Sequence, residues 1–235
     1  MDRKLHLPLS AAALLFSPLL FAQERYVEEV FTNDQIEISN NVIYGTNIDF
    51  LTSNFSSPNV SANVIELQTA VSSGTPIPEP YFDPANTSTA VKVKNLEMDI
   101  YRPNADDDDV EDRPLVIYVH TGNALPPPLN GSPNGTRKDS SAVEICKRMA
   151  RRGYVAASIS YRLGWNPLAS SEEERRGSLL NAIYRAIHDV RQSVRFLKAS
   201  ADGANTYGIC PSRIIVIGEG TGGYISLANA TLDDP

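Results

Sequence analysis

The 235-residue chain has the length and composition of one soluble domain, with 42% hydrophobic and 21% charged residues, enough to bury a sizeable core. Its formal net charge of -7 disfavours nucleic acid or an anionic membrane as a partner. These values favour a small-molecule partner and leave the oligomeric state open.

Residues 1–22 have the pattern of a secretory signal. Arg3 and Lys4 precede an apolar run over residues 7–21, and this run is short for a membrane span. We therefore predict a cleavable signal, a secreted or periplasmic location, and no membrane span.

The next two segments differ in composition. Residues 23–52 contain short mixed runs, Tyr26–Phe31 and Asn41–Gly45, which predict short antiparallel N-terminal strands. Residues 53–90 are rich in Ser, Asn, Thr and Pro with little periodicity, which predicts a long surface insertion with little order.

The strands of the main domain, residues 91–235, are predicted from three runs. Residues 91–101 alternate at period two, which is typical of a strand with one buried face. Residues 115–120 and 154–159 are largely apolar, as in strands covered on both faces. The acidic stretch Asp106–Asp112 is interpreted as a solvated turn rather than a calcium loop, because it lacks the glycine and spacing of such loops.

Two helices are predicted, one between the strands at 115–120 and 154–159 and one after the second of these strands. A capping box at Ser141 and Glu144 opens a helix that Gly153 stops, and with its flanking strands it suggests a right-handed crossover in a parallel sheet. The longer helix ends at Gly203, and its apolar residues recur at spacings of three and four. They are Leu180, Ile183, Ile187, Val190, Val194 and Leu197.

The two cysteines lie in different elements of this arrangement. Cys146 falls on the apolar face of the first helix, and Cys210 lies with Pro211 in a predicted turn before the next strand. Export would permit a disulfide, but these positions favour two separate thiols.

A strand over Arg213–Ile217 then runs into a glycine cluster and a further helix. Such a strand-turn-helix resembles the nucleophile elbow G-x-S-x-G, in which small residues permit a sharp turn and the central side chain is exposed. The five elbow positions are Gly218, Glu219, Gly220, Thr221 and Gly222. Glycine therefore replaces the nucleophile at position 220.

The order of elements resembles the N-terminal half of the α/β-hydrolase fold, and the local sequences are similar to secreted carboxylesterase and lipase-like members. The matching stretches are Leu96–Pro103, Leu115–Gly122, Gly153–Leu163, His188–Leu197 and Tyr207–Gly218. The resemblance implies an α/β three-layer sandwich with a mostly parallel sheet. It also implies that the strands following the elbow are missing, so that the domain is incomplete.

In that family a loop after a central strand carries a His-Gly-Gly pattern whose amides form an oxyanion hole with the residue after the nucleophile. The resemblance assigns these roles to Thr121, Gly122, Asn123 and Thr221. Thr121 departs from the family's glycine. No cofactor or metal is implied, and the expected ligand is a small ester-like molecule.

The three histidines do not complete a catalytic triad. His6 lies in the signal, His188 in the long helix is expected to be structural, and His120 either belongs to the oxyanion loop or is a strand-end histidine satisfied by backbone groups.

Three functions remain open from the residues. The chain is a truncated carboxylic-ester hydrolase, or it is a catalytically inactive α/β-hydrolase-fold binding protein. In the hydrolase, Thr221 would be the alternative nucleophile, although a β-branched residue suits a strained elbow poorly. The third function is dinucleotide binding, since Gly218–Gly223 also satisfies G-x-G-x-x-G, a weak signal when it stands alone.

Overall fold

The computed structural model describes residues 24–232, which contain a five-stranded sheet with helices on both faces. The strands are β1 (Ile36–Ile48), β2 (Val93–Pro103), β3 (Arg113–Val119), β4 (Val155–Ile159) and β5 (Ile209–Gly218). The helices are α1 (Val60–Ser73), α2 (Ser140–Arg151), α3 (Glu172–Asp202) and α4 (Thr221–Thr231), with single turns at Asn33–Gln35, Glu79–Tyr81 and Pro127–Asn130. The predicted signal at 1–22 lies outside the described residues.

The strands follow the order β1-β2-β4-β3-β5 in the sheet. β3 is parallel to both β4 and β5, whereas β2 is antiparallel to β4 and to β1. The sheet of the described residues is therefore mixed: four of its five strands run in one direction and β2 runs in the other. The α/β class is confirmed, and the two parallel strand pairs lie in the half of the sheet that carries the elbow.

Two hydrophobic clusters show the three layers. On one face of the sheet, side chains of α3 and α4 pack against β2, β3 and β4. On the other face, Ala142, Cys146 and Ala150 of α2 pack against the side chains of Tyr101, Tyr118 and Ala156. The predicted apolar face of α2 is confirmed, and Cys146 and Cys210 are both free and buried.

Three local predictions in the N-terminal segments and around α2 are wrong. Residues 26–31 form a turn followed by irregular backbone rather than a strand. The insertion contains the ordered helix α1, whose Leu67 packs with Tyr81 in a separate small cluster. Asp139, not Ser141, is the N-cap of α2, and Glu144 instead pairs with Arg148 and Arg151.

A fourth correction concerns the start of β5. The strand begins at Ile209 and includes the predicted turn at Cys210–Pro211. Its register against β3 shifts there, from Arg113 opposite Ile209 to Leu115 opposite Ile214, so that the turn residues form an irregularity within the strand.

Parallel strands bring their carboxyl ends to the same edge of a sheet. The ladder between β3 and β5 ends with Val119 opposite Gly218. The loop that follows β3 and the elbow that follows β5 are therefore neighbours, which places the predicted site residues together.

Candidate functional site

The elbow has the geometry that its glycine spacing predicts. Gly220 has φ 53° and ψ -120°, and α4 begins at the next residue. A Cβ on Gly218 would overlap the backbone of Gly222, and a Cβ on Gly222 would lie 2.6 Å from the carbonyl carbon of Val119. The helix therefore starts so close to β3 and β5 that only glycine fits at both positions.

Gly220 occupies the strained central position without presenting a reactive atom. Ideal geometry places a Cβ at position 220 only 3.2 Å from Thr121 Cβ and well under 3.0 Å from Thr121 Oγ1. Thr121 thus fills the space beside the elbow that a side chain at 220 would enter.

The loop after β3 has an unusual backbone. Gly122, Asn123 and Ala124 all have positive φ, at 113°, 57° and 55°, a conformation that non-glycine residues adopt only under constraint. Within residues 24–232, the amides of Gly122, Asn123 and Thr221 donate no hydrogen bond to another residue. These amides are the predicted oxyanion donors, and they are free to bind a ligand's oxygen atom.

Contacts from two sides hold this loop. The Thr221 hydroxyl donates to Asn123 Oδ1 at 3.4 Å, which links the loop to the elbow helix. On the other side, the amides of Gly164 and Trp165 donate to the Ala124 carbonyl oxygen at 2.9 and 3.0 Å. The predicted residues of the loop and the elbow are therefore in contact through their side chains as well as through the sheet.

Glu219 points to the sheet and receives a hydrogen bond from the Tyr118 hydroxyl at 2.9 Å. Burial, together with the hydrogen bond to this carboxylate, raises the pKa of Tyr118 to about 12. Glu219 is thus tied to β3, and the tyrosine remains protonated at physiological pH.

The two described histidines have structural partners. His120 is buried, its Nδ1 donates to the Thr121 carbonyl oxygen at 2.6 Å, and its ring stacks on Tyr161. Burial lowers the pKa of His120, which keeps its imidazole neutral. His188 makes an edge contact with Tyr184. A backbone carbonyl group therefore accepts the hydrogen bond of the His120 ring. This arrangement corresponds to the second of the two expectations, that of a strand-end histidine.

An open cleft of about 720 Å³ lies beside the loop and the elbow. Asn123, Asn181 and Thr221 form its polar part, and none of the described residues lining it is charged. The apolar part of the cleft was not predicted from the sequence. Leu180, Ile183 and Ile187 were identified only as part of the apolar face of α3. The apolar part consists of Trp165, Leu179, Leu180, Ile183, Tyr184, Ile187, Tyr224 and Leu232.

The acidic stretch contains one residue that is not solvated. The Asp108 side chain is buried between Arg25 and Arg113, which corrects the interpretation of the whole stretch as a solvated turn. In residues 24–232 no three His, Cys, Asp or Glu side chains come together as a metal site would require. No helix in that range has the length and hydropathy to cross a membrane.

The mixed sheet, its two helical layers and the elbow define an α/β-hydrolase-like protein. The BD-FAE family profile matches residues 98–234, more than half of the chain. The chain belongs to the BD-FAE family, which is of the α/β-hydrolase type. The predicted relationship to carboxylesterase-like hydrolases is confirmed.

Solved structures similar to this chain include a thermophilic esterase, Est2, of the Planctomycetes species Thermogutta terrifontis. Its native form is 21% identical with a TM-score of 0.41, over 57% of this chain and 39% of that chain. The form phosphonylated by cyclosarin is 23% identical with a TM-score of 0.40, over 57% and 41%. The chain spans about 40% of the length of these esterases. No curated protein matches the sequence.

Proposed function

We propose that this protein binds a small, neutral, largely apolar ester-like molecule in the cleft and does not hydrolyse it. The observation that carries the proposal is Gly220, which holds the nucleophile position of an intact elbow but has no side chain. Nucleophilic acyl transfer requires an atom there that can attack the carbonyl carbon.

The surroundings of the elbow support retained binding. The cleft has apolar walls and lacks a charged lining residue in the part of the chain described, which suits an uncharged alkyl or aryl ester. The free amides of Gly122, Asn123 and Thr221 are hydrogen-bond donors for a carbonyl oxygen. Binding therefore has both an apolar and a polar component.

Trp165 is the single tryptophan of the chain and lines the cleft, so its fluorescence reports occupancy directly. We expect ethyl butyrate to change this fluorescence in a saturable way, while proton NMR of the same mixture shows no ester cleavage above the buffer rate. Leu180→Ala should weaken the titration, because Leu180 lines the cleft. Leu168→Ala is the matched control, since Leu168 is similarly exposed but lies outside the cleft.

A second candidate function is acyl transfer by Thr221, which lines the cleft. No described histidine is hydrogen-bonded to it, and its only side-chain partner within residues 24–232 is Asn123. Cleavage of ethyl butyrate that disappears in Thr221→Ala would establish this function and contradict the first proposal.

We also propose that the protein is exported with removal of residues 1–22. The basic start and short apolar run support this, while the domain limits at 22, 52 and 90 stay predictions. N-terminal sequencing of protein recovered from outside the cytoplasm should begin at Gln23. Recovery with Met1 from the cytoplasm alone would contradict export.

A further inference from the structure

The loop after β3 needs a constraint, because three successive residues hold positive φ. Ala124 is fully buried, and a non-glycine residue in this region costs about 1 kcal/mol or more unless its surroundings fix it. The hydrogen bonds of Asn123 and Ala124 constrain one end of this run, and Thr121 stands at its other end, next to Gly122.

Thr121 is suited to this task by its position against Gly220. Its Oγ1 and Cβ stand where a side chain at 220 would begin, and Oγ1 makes no hydrogen bond to another residue in the described range. Rotation of the threonine about χ1 would remove the Oγ1 overlap with such a side chain, but its Cβ would remain at 3.2 Å. The contact between Thr121 and Gly220 is thus steric rather than a hydrogen bond.

We propose that Thr121 and Gly220 form an interlocked pair in which Thr121 is a positioning residue that replaces the absent side chain at 220 and holds the oxyanion-type loop against the elbow. The effect on ligand binding rests on the proposed function, whereas the packing of the pair does not. A side chain at 220 fits this backbone without a shift of Thr121 only when the side chain at 121 becomes smaller.

Thermal unfolding of single and double variants tests the packing. Gly220→Ala should lower the Tm of the wild type by roughly 6 °C, because the positive φ and the overlap with Thr121 both oppose the new Cβ. In the Thr121→Gly background only the positive φ remains, so the same change should lower Tm by no more than about 3 °C. In Thr121→Ala, which keeps Cβ, the loss should be intermediate.

Gly131→Ala is the matched control for this cycle. Gly131 also has positive φ, at 55°, but an added Cβ would meet nothing within 4 Å. Its Tm loss should be the same in the wild-type, Thr121→Ala and Thr121→Gly backgrounds. An equal loss for Gly220→Ala in those three backgrounds would overturn the interlock.

Trp165 fluorescence with ethyl butyrate tests the positioning role. Thr121→Ala should raise Kd by about threefold or more, and adding Gly220→Ala to it should recover most of that loss, although the same change harms the wild type. Absence of rescue would overturn the positioning role. If wild-type protein does not bind the probe, the proposed function fails and the positioning role falls with it, while the stability cycle still decides the packing.

Discussion

At the scale of single residues, Gly222 and Gly223 make a natural comparison, because they are adjacent in α4 and differ in the space around them. A Cβ on Gly222 would lie 2.7 Å from the His120 carbonyl oxygen and overlap the backbone of Val119. A Cβ on Gly223 would come no closer than 3.3 Å to the Gly218 carbonyl oxygen. Only the first position depends on the absence of a side chain.

We therefore expect Gly222→Ala to reduce the free energy of unfolding by about 3 kcal/mol, because rigid backbone atoms block the new methyl group. Gly223→Ala should change it by less than about 1 kcal/mol, since alanine's better helix propensity offsets a tight contact. Urea unfolding of both variants measures the difference. Equal losses would contradict the close approach of α4 to β3.

At the scale of elements, α3 combines two roles that the sequence shows as one pattern. Ile187, Val190 and Leu197 pack against the sheet as the spacing predicts. Leu180 belongs to the same periodic set, but it is 70% exposed and lines the cleft. Periodicity identifies the apolar face of a helix, and it cannot say whether another element covers that face along its whole length.

The sequence predicts those parts of the site that lie within one segment of the chain, but not the contacts between segments. The glycine spacing of the elbow identified the turn, and the position of Thr121 to Asn123 after an apolar run identified the facing loop. The contact between Thr121 and Gly220 could not be predicted, because it depends on β3 and β5 being neighbours. Helix α1 was missed because its few buried residues, Asn63, Leu67 and Ala70, give little hydrophobic contrast.

Asp108 links the segment before β1 to the loop that leads into β3. Its carboxylate receives hydrogen bonds from Arg25 Nη1 at 3.0 Å and Arg113 Nη2 at 2.9 Å. Burial opposes ionisation, but these hydrogen bonds and charges outweigh it and lower the pKa of Asp108. The ionised carboxylate therefore stabilises the folded protein.

We expect Asp108→Asn to lower the free energy of unfolding at pH 7 by about 3 kcal/mol, because it leaves the buried Arg113 without its counter-ion. A carboxyl group with a lowered folded pKa stabilises above its unfolded pKa, and that contribution disappears as pH falls through the folded value. The gap between wild type and variant should therefore close below about pH 4. Urea unfolding across this range measures it.

Asp112→Asn is the control for the Asp108 prediction. Asp112 pairs with Arg213 at 2.7 Å on the surface, where its side chain is 70% exposed. Surface pairs contribute little, so this variant should differ little from the wild type at any pH. A pH-independent loss in Asp108→Asn would contradict the ionic explanation.

At the scale of the whole molecule, the two outer strands of the sheet differ in character. Two register shifts interrupt the pairing of β1 with β2. Polar residues alternate with short apolar runs along β1. β5 carries the continuous apolar run Ile214–Ile217, pairs only with β3 among the described strands, and leaves Ile215 47% exposed. An uninterrupted apolar edge is open to pairing with other chains.

We expect the purified 235-residue chain to bind an apolar dye and to scatter light increasingly with concentration. Ile215→Lys should reduce both signals, because a charge on this edge opposes strand pairing. Ile43→Lys is the matched control, since Ile43 has nearly the same exposure on β1, and it should leave both signals nearly unchanged. Equal reductions from the two variants would contradict the assignment to β5.

Covalent labelling tests most directly the claim that the elbow lacks a nucleophile. A fluorophosphonate phosphonylates an activated hydroxyl with loss of fluoride, so intact mass and peptide mapping reveal any nucleophile in the cleft. Wild-type protein should show no adduct in residues 218–222 while an active carboxylesterase treated in parallel is labelled fully. An adduct on Thr221 that disappears in Thr221→Ala would contradict the account.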